Sequence, residues 1–401
     1  MKITKIETMS LGEFPNVSWI MVHTEGGIVG LGETYFGSEA VQSYVHETLA
    51  PQMLGKDALR IEAHSHTLLN NYVGYKSSGA EIRGASAFDI ALWDIFGKVT
   101  GQPLYQLLGG LVNPKLRAYN TCAGYRYVRS RPTWGTDNWG INGNEGPYED
   151  LEGFLTRADE VAESLIDEGY FGMKVWPFDF AAEKTRGTDI SVADLKKGMV
   201  TLEKIRERVG DKIEIFLEMH GLWQLPAALK IANAVAPLRP YWFEDPIKPN
   251  NINALRQFRE NAPAWTAASE TLATRWSFRE LLEQEATDVV IADLGWSGGI
   301  SEARKVVSMT EAYNLPFAPH DCSGPVQLAA CVHLCAASPN ALTQEVVRAF
   351  YHGWYTELVE DLPELAGGFI SPLEKPGIGV ELKPGLRDRA DVRGRTSDWN
   401  P

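Results

Sequence analysis

The pattern of apolar and polar positions changes its period twice along the chain. Over residues 1–36 the two kinds alternate, as in Met1-Lys2-Ile3-Thr4-Lys5-Ile6-Glu7, which predicts a β-meander with strands near 2–9, 17–24 and 28–34 and a turn at Glu25-Gly26-Gly27. From about 38 to 112 the period lengthens. Ala40, Val41, Tyr44 and Val45, and then Ala85, Phe88, Ala91, Leu92, Ile95 and Phe96, recur at i, i+3, i+4 and i+7, the mark of buried helix faces. A small α+β domain over 1–115 accounts for both blocks. From about 116 onward short apolar runs at 117–122, 171–176, 213–219, 240–244, 265–269, 288–293, 315–319 and 341–344 alternate with amphipathic segments at 154–168, 192–209, 225–235, 251–260, 276–284, 299–312 and 325–335. Eight strands alternating with helices imply a parallel sheet closed as a (β/α)₈ barrel, here over 116–362. The remainder, 363–401, is rich in glycine and proline, with a short strand near Gly379-Val380-Glu381-Leu382 that can return to the first domain.

Three of the apolar runs end in a carboxylate: Glu218, Glu244 and Glu270, each 26 residues from the next. That is the beat of successive βα units, and residues at the C-terminal ends of barrel strands converge on one site. Three carboxylates cannot share a point without a cation, and Mg²⁺ is the usual occupant of an all-oxygen cage.

Other strand ends carry acid–base chemistry. His320 ends the seventh run and Asp293 the sixth; a carboxylate beside an imidazole fixes its tautomer and raises its basicity, as a general base requires. Lys174 and Trp176 share a face at the end of the second run, and Glu218 and His220 at the end of the third. Lys174 can hold a substrate carboxylate, or act as a base if burial lowers its pKa. Glu345 ends the eighth run and, if protonated, can hydrogen-bond a substrate carboxylate. Cys322 and Ser323 invite a nucleophile reading that the metal and dyad leave without a task. Long aromatic loops over Gly124–Glu149, which includes Tyr125, and from Trp176 to about Ile190 read as lids. The stretch Glu13-Phe14-Pro15-Asn16 and the Gly124–Glu149 loop are the expected source of specificity; Asn16 and Tyr125 there, and Trp176 beside Lys174, are candidate substrate contacts.

Composition narrows the partners. With 52 acidic against 38 basic residues the net charge is −14, unsuited to nucleic acid or an acidic membrane. Four cysteines form no CxxC pair, no secretory h-region opens the chain, and no apolar run is long enough to span a bilayer. A cytoplasmic protein acting on a small molecule is expected.

Taken together, the Ala85-to-Asp94 helix pattern followed by Gly97, Gly101 and Pro103-Leu104, the run Phe243-Glu244-Asp245-Pro246, Asp293 followed by Gly298-Gly299-Ile300, and Pro319-His320 resemble the enolase superfamily, specifically its mandelate racemase-like subgroup. The resemblance implies an N-terminal α+β capping domain on the barrel, Mg²⁺ on Glu218, Glu244 and Glu270, and abstraction of a proton α to a carboxylate. It also implies assembly into a homo-oligomer. Two positions depart from the subgroup: Trp176 stands where racemases resemble Lys-x-Lys, and Glu218 with His220 stands where aspartate and asparagine are usual. With Trp176 unable to take a proton, the resemblance points to dehydration of an aldonate or aldarate to a 2-keto-3-deoxy acid. His320 is then the base, Asp293 its orienter, Lys174 and Glu345 the carboxylate grip and His220 an alternative acid. An epimerase, a racemase, a lactone cycloisomerase or a non-catalytic sugar-acid-binding protein are the alternatives.

Overall fold

The computed structural model describes residues 1–70, 77–143 and 146–400. The opening alternation forms an antiparallel meander of β1 (Ile3–Leu11), β2 (Phe14–Thr24) and β3 (Val29–Tyr35), turning at Gly27, whose φ of 77° favours glycine. The helix Ala80–Thr100 lies against β3. Gly30 and Gly32 permit this closeness, since a Cβ there would stand 2.1 Å from the Ala91 carbonyl oxygen and 1.8 Å from that of Ala87. The same helix presents Ala85, Phe88, Ala91, Leu92 and Ile95 to the core and stops at Gly101, in the left-handed conformation that favours glycine after a helix.

Eight parallel strands follow: β4 (Leu116–Thr121), β5 (Gly172–Val175), β6 (Glu214–Glu218), β7 (Trp242–Glu244), β8 (Trp265–Ala268), β9 (Val289–Ala292), β10 (Phe317–Pro319) and β11 (Gln344–Val346). Each ladders to the next from β4 to β10, and β11 ladders back to β4. The last link, β10 to β11, is a single parallel bridge between Phe317 and Ala341 with main-chain hydrogen bonds Phe317 N–H to Asn340 (2.9 Å) and Leu342 N–H to Phe317 (2.8 Å). Connecting helices such as Val192–Val209, Leu225–Val235 and Gly299–Ala312 coincide with the expected segments. The expected helix at 154–168 is instead two, Asp150–Thr156 and Ala158–Asp167, broken where Arg157 leaves helical geometry (φ −138°, ψ 50°).

The strands' inward faces fill the barrel. Tyr119, Phe216 and Trp242 pack with ring centroids 4.2–5.6 Å apart, and Ala267 and Ala318 join them in the same cluster. Gly172 makes room, because a Cβ there would meet the Phe216 ring at 2.1 Å.

The C-terminal segment corrects one expectation. Residues 379–382 contribute only a bridge, Val359 to Leu382, and the strand that returns to the meander is β14 (Val392–Asp398), antiparallel to β1. Before it, β12 (Glu364–Ala366) and β13 (Phe369–Ser371) form a hairpin that pairs with the start of β4. Among the described residues no helix is long and apolar enough to cross a membrane.

This segment is pinned by His333, fully buried in the helix Pro325–Ala336. Its Nε2–H donates to the Ile378 carbonyl (3.0 Å) and its Nδ1 accepts from the Tyr105 N–H (3.3 Å). Burial pushes this imidazole down to about 4. Unfolded, it takes up a proton nearer 6.5, so between those values the unfolded chain holds more protons and stability rises with pH, by roughly 3 kcal/mol in all. Urea unfolding at pH 7 and pH 4 should show this slope, and His333→Gln should flatten it by a comparable amount.

Candidate active site

The register that fills the barrel also delivers its chemistry. Two residues beyond Tyr119, Gly172, Phe216, Trp242, Ile291 and Ala318 stand Thr121, Lys174, Glu218, Glu244, Asp293 and His320, so the residue that packs the interior fixes the one above it.

Glu218, Glu244 and Glu270 each bring a carboxylate oxygen to within 4.8 Å of the others. Glu218 Oε1 accepts the N–H groups of Met219 (2.9 Å) and His220 (2.7 Å), while its buried Oε2 carries no hydrogen bond, although Lys174 Nζ stands 3.3 Å away. Burial and the charge of Glu218 push the Glu244 carboxyl well above its usual range. A buried cluster of hard oxygen donors, with one oxygen lacking a donor, fits a divalent cation with oxygen ligands. Lys174 also lies 2.7 Å from Glu244 and 2.8 Å from Glu345. Burial opposes its charge, but Glu244 and Glu345 outweigh burial and raise its pKa well above normal, which favours the ammonium form.

His320 Nδ1 is 2.7 Å from Asp293 Oδ2, and its Nε2 is 3.2 Å from Glu270. Burial disfavours its charge, yet Glu270, Glu345 and Asp293 together raise its pKa well above normal. A second dyad stands elsewhere on the rim: His220 Nδ1 is 2.6 Å from Asp179 Oδ2. Asp179 begins the helix Asp179–Thr185, in a stretch expected to be loop. Burial pushes Asp179 up to about 6 against the His220 charge; for His220, Glu218 and Asp179 overcome burial and hold the imidazole protonated up to about 9. The pair is therefore ionised at neutral pH. His220 follows the third strand of the ring and His320 the seventh, diametrically opposed positions, and both line one cavity.

That cavity also takes in Lys174, Trp176, Glu218 and Glu270, has about 40 Å³ of free space, and is walled by aromatic rings. Trp134 stands 5.2 Å from the His220 ring and Trp296 5.1 Å from that of His320. A much larger cavity of about 550 Å³ lies between the loops after β6 and β7, beside Arg186, Trp223 and Lys248, but it holds none of the predicted acid–base groups.

Three expected substrate contacts are placed otherwise. Glu345 sits beneath Lys174 with its oxygens engaged by Lys174, Thr121 and the Asp321 N–H; burial opposes ionisation, but Lys174 and His320 hold its carboxyl at about 2, so it offers no proton. Asn16 spends its amide on the carbonyls of Val128 and Arg131 (2.8 Å for the latter), tying the meander to the aromatic loop. Tyr125 turns away, its hydroxyl donating to Glu357 and its ring beneath Arg129. Within Gly124–Glu149, residues 144 and 145 lie outside the described residues; Tyr127, Val128 and Trp134 line the cavity instead. Cys322 lines it too, with its thiol pushed well up by burial and kept neutral. Sequence reasoning missed Asp179. Its only signal was an acidic residue opening a short i, i+3 apolar pattern at Phe178 and Ala181.

Comparison with known proteins agrees with this architecture. The mandelate racemase / muconate lactonizing enzyme N-terminal domain matches residues 5–109, and the enolase C-terminal domain-like family matches 157–386. An enolase of the mandelate racemase subgroup from Agrobacterium tumefaciens is 48% identical over 99% of both chains, with a TM-score of 0.88. An enolase protein from Sargasso Sea environmental sequencing is 40% identical over 100% of both, also at 0.88. A candidate dehydratase from Zymomonas mobilis is 27% identical over 99% of this chain and 100% of its own, at 0.86. With its capping domain, its barrel and its convergent carboxylates, this chain belongs to the enolase superfamily, in the mandelate racemase-like branch.

Proposed function

We propose that the protein is a Mg²⁺-dependent dehydratase of sugar acids, converting an aldonate or aldarate to a 2-keto-3-deoxy acid. The observation that carries this reading is the pair of histidine–carboxylate dyads at opposed strand ends, His320–Asp293 and His220–Asp179, whose imidazoles line one cavity with Glu218 and Glu270. Lys174, kept cationic by its carboxylate neighbours, attracts the substrate carboxylate. His320 takes the α-proton through Nε2, with Nδ1 held by Asp293. His220, protonated at neutral pH, gives its proton to the β-hydroxyl, so the Cα–H and Cβ–O bonds break, water leaves and the enol becomes the 2-keto acid. Mg²⁺ held by Glu218, Glu244 and Glu270 supplies positive charge against the negative charge that a carboxylate gains as its α-proton departs. Trp176 has no protonatable nitrogen, and its ring, 5.7 Å from His220, packs the wall.

Free space of about 40 Å³ holds a few waters and no sugar acid, so substrate entry requires the lining to open. The similarity to a candidate dehydratase supports the same chemistry. The test is a library of aldonates and aldarates screened with Mg²⁺ for 2-keto acid release. Turnover of at least one member is expected, abolished by a chelator and restored by Mg²⁺; no turnover of any member sinks the reading. The opposed dyads also suit epimerisation, one histidine removing the proton and the other returning it on the far face. Solvent deuterium entering Cα with inversion and without loss of water would favour that second reading.

A further inference from the structure

The base dyad is clamped by groups outside the cavity. Asp293 Oδ2 accepts two hydrogen bonds, one from His320 Nδ1 (2.7 Å) and one from the side-chain amide of Gln327 (Nε2, 2.9 Å). Gln327 is fully buried in the first turn of the helix Pro325–Ala336. The amide orientation follows from chemistry, because the reverse would set its oxygen against a carboxylate. Gly295, two residues beyond Asp293, admits the amide: a Cβ there would stand 2.1 Å from Gln327 Oε1.

Gln327 is in turn held from the N-terminal domain. Its backbone N–H donates to Glu33 Oε1 (2.9 Å) at the end of β3, and the other oxygen of Glu33 accepts from Trp19 Nε1 (2.8 Å). Gly324 gives Glu33 its place, since a Cβ there would come within 2.3 Å of Oε1. The next residue, Thr34, donates its hydroxyl to the Gly295 carbonyl (2.8 Å). Two consecutive residues of the capping domain thus grip both the helix that carries Gln327 and the turn that follows Asp293.

We propose that Gln327 is a positioning residue for the base, acting on His320 through Asp293, and that Glu33 carries the orientation of the capping domain into the dyad. The kinetic consequence rests on the reading of His320 as the base; the structural one does not. Gln327→Met keeps the volume and removes the donor, leaving the carboxylate free to rotate. A small displacement of a reacting group costs rate more than binding, so kcat should fall by roughly 10- to 100-fold with KM changed less than about twofold. In an Asp293→Asn background the same substitution should cost less than about twofold, since its route to His320 is already cut. An equal cost in both backgrounds means a merely structural role and overturns the proposal.

A readout without substrate separates this from the dehydration reading. The His320 Nδ1 proton, identified in the low-field proton NMR spectrum by its loss in His320→Asn, should exchange with water about tenfold faster or more in Gln327→Met. Unchanged exchange overturns the proposal whether or not any sugar acid is turned over. Glu33→Gln should shift the same rate in the same direction, and adding it to Gln327→Met should bring no further change; additive effects overturn the link to the capping domain.

Discussion

His320→Asn is expected to lower kcat on a dehydrated sugar acid by about 10²–10⁴-fold, the usual contribution of a positioned general base. The substitution removes the group that faces Glu270 at 3.2 Å and Asp293 at 2.7 Å without touching Glu218 or Glu244. Cation binding, measured by calorimetry with Mg²⁺, should therefore persist. Exchange of the substrate's Cα proton with deuterated solvent should disappear together with dehydration, because both need the proton to leave. Retained exchange would show that another group takes it; Trp176 is unable to do so, and Lys174 and His220, both held cationic by neighbouring carboxylates, would each have to lose a proton first. The pH dependence follows from the same neighbours. The Glu270, Glu345 and Asp293 carboxylates raise the imidazole pKa, and a base works only when neutral, so activity should rise with pH on the acid limb. A cation that neutralises Glu270 lowers that pKa, and the limb should move to lower pH as Mg²⁺ is raised.

What was legible in the sequence was what a strand end can encode. Glu218, Glu244 and Glu270 close apolar runs at a constant spacing of 26, so their convergence follows from the βα repeat alone. The inward register then explains why these positions matter: Phe216 and Trp242 fill the barrel, and the glutamates two residues on share their face. Properties set by tertiary partners were not legible. Glu345 is ionised because Lys174, from a non-adjacent strand, reaches it at 2.8 Å. Asn16 and Tyr125 occupy the expected loops, but carbonyls and a carboxylate elsewhere in the chain take up their polar atoms. Asp179 was hidden because its meeting with His220 depends on the path taken after Trp176, where a short helix replaces the expected loop. The strand Val392–Asp398 was hidden for another reason. At the edge of its sheet, mostly exposed and with Arg393 paired to Glu39 at 2.8 Å, it has no apolar alternation to read.

His220→Asn separates the two readings of the opposed dyads. In dehydration, His220 acts after or with proton removal, so the variant should keep Cα exchange at a rate near wild type and lose water elimination by about 10²-fold or more, the weight of a general acid. A β-fluoro analogue tests the assignment further. Fluoride departs without a proton, so His220→Asn should eliminate it at a rate close to that of the wild type, whereas His320→Asn should fail on fluoro and hydroxy substrates alike. Asp179→Asn keeps the imidazole but removes the carboxylate that holds it at 2.6 Å and helps to keep it protonated. Its defect should be milder, confined to the hydroxy substrate, and greatest at alkaline pH, where an imidazole of lowered pKa has already lost its proton. If the two histidines instead serve opposite faces in epimerisation, His220→Asn would block exchange of one epimer altogether while sparing the other, and the fluoro analogue would give no rescue.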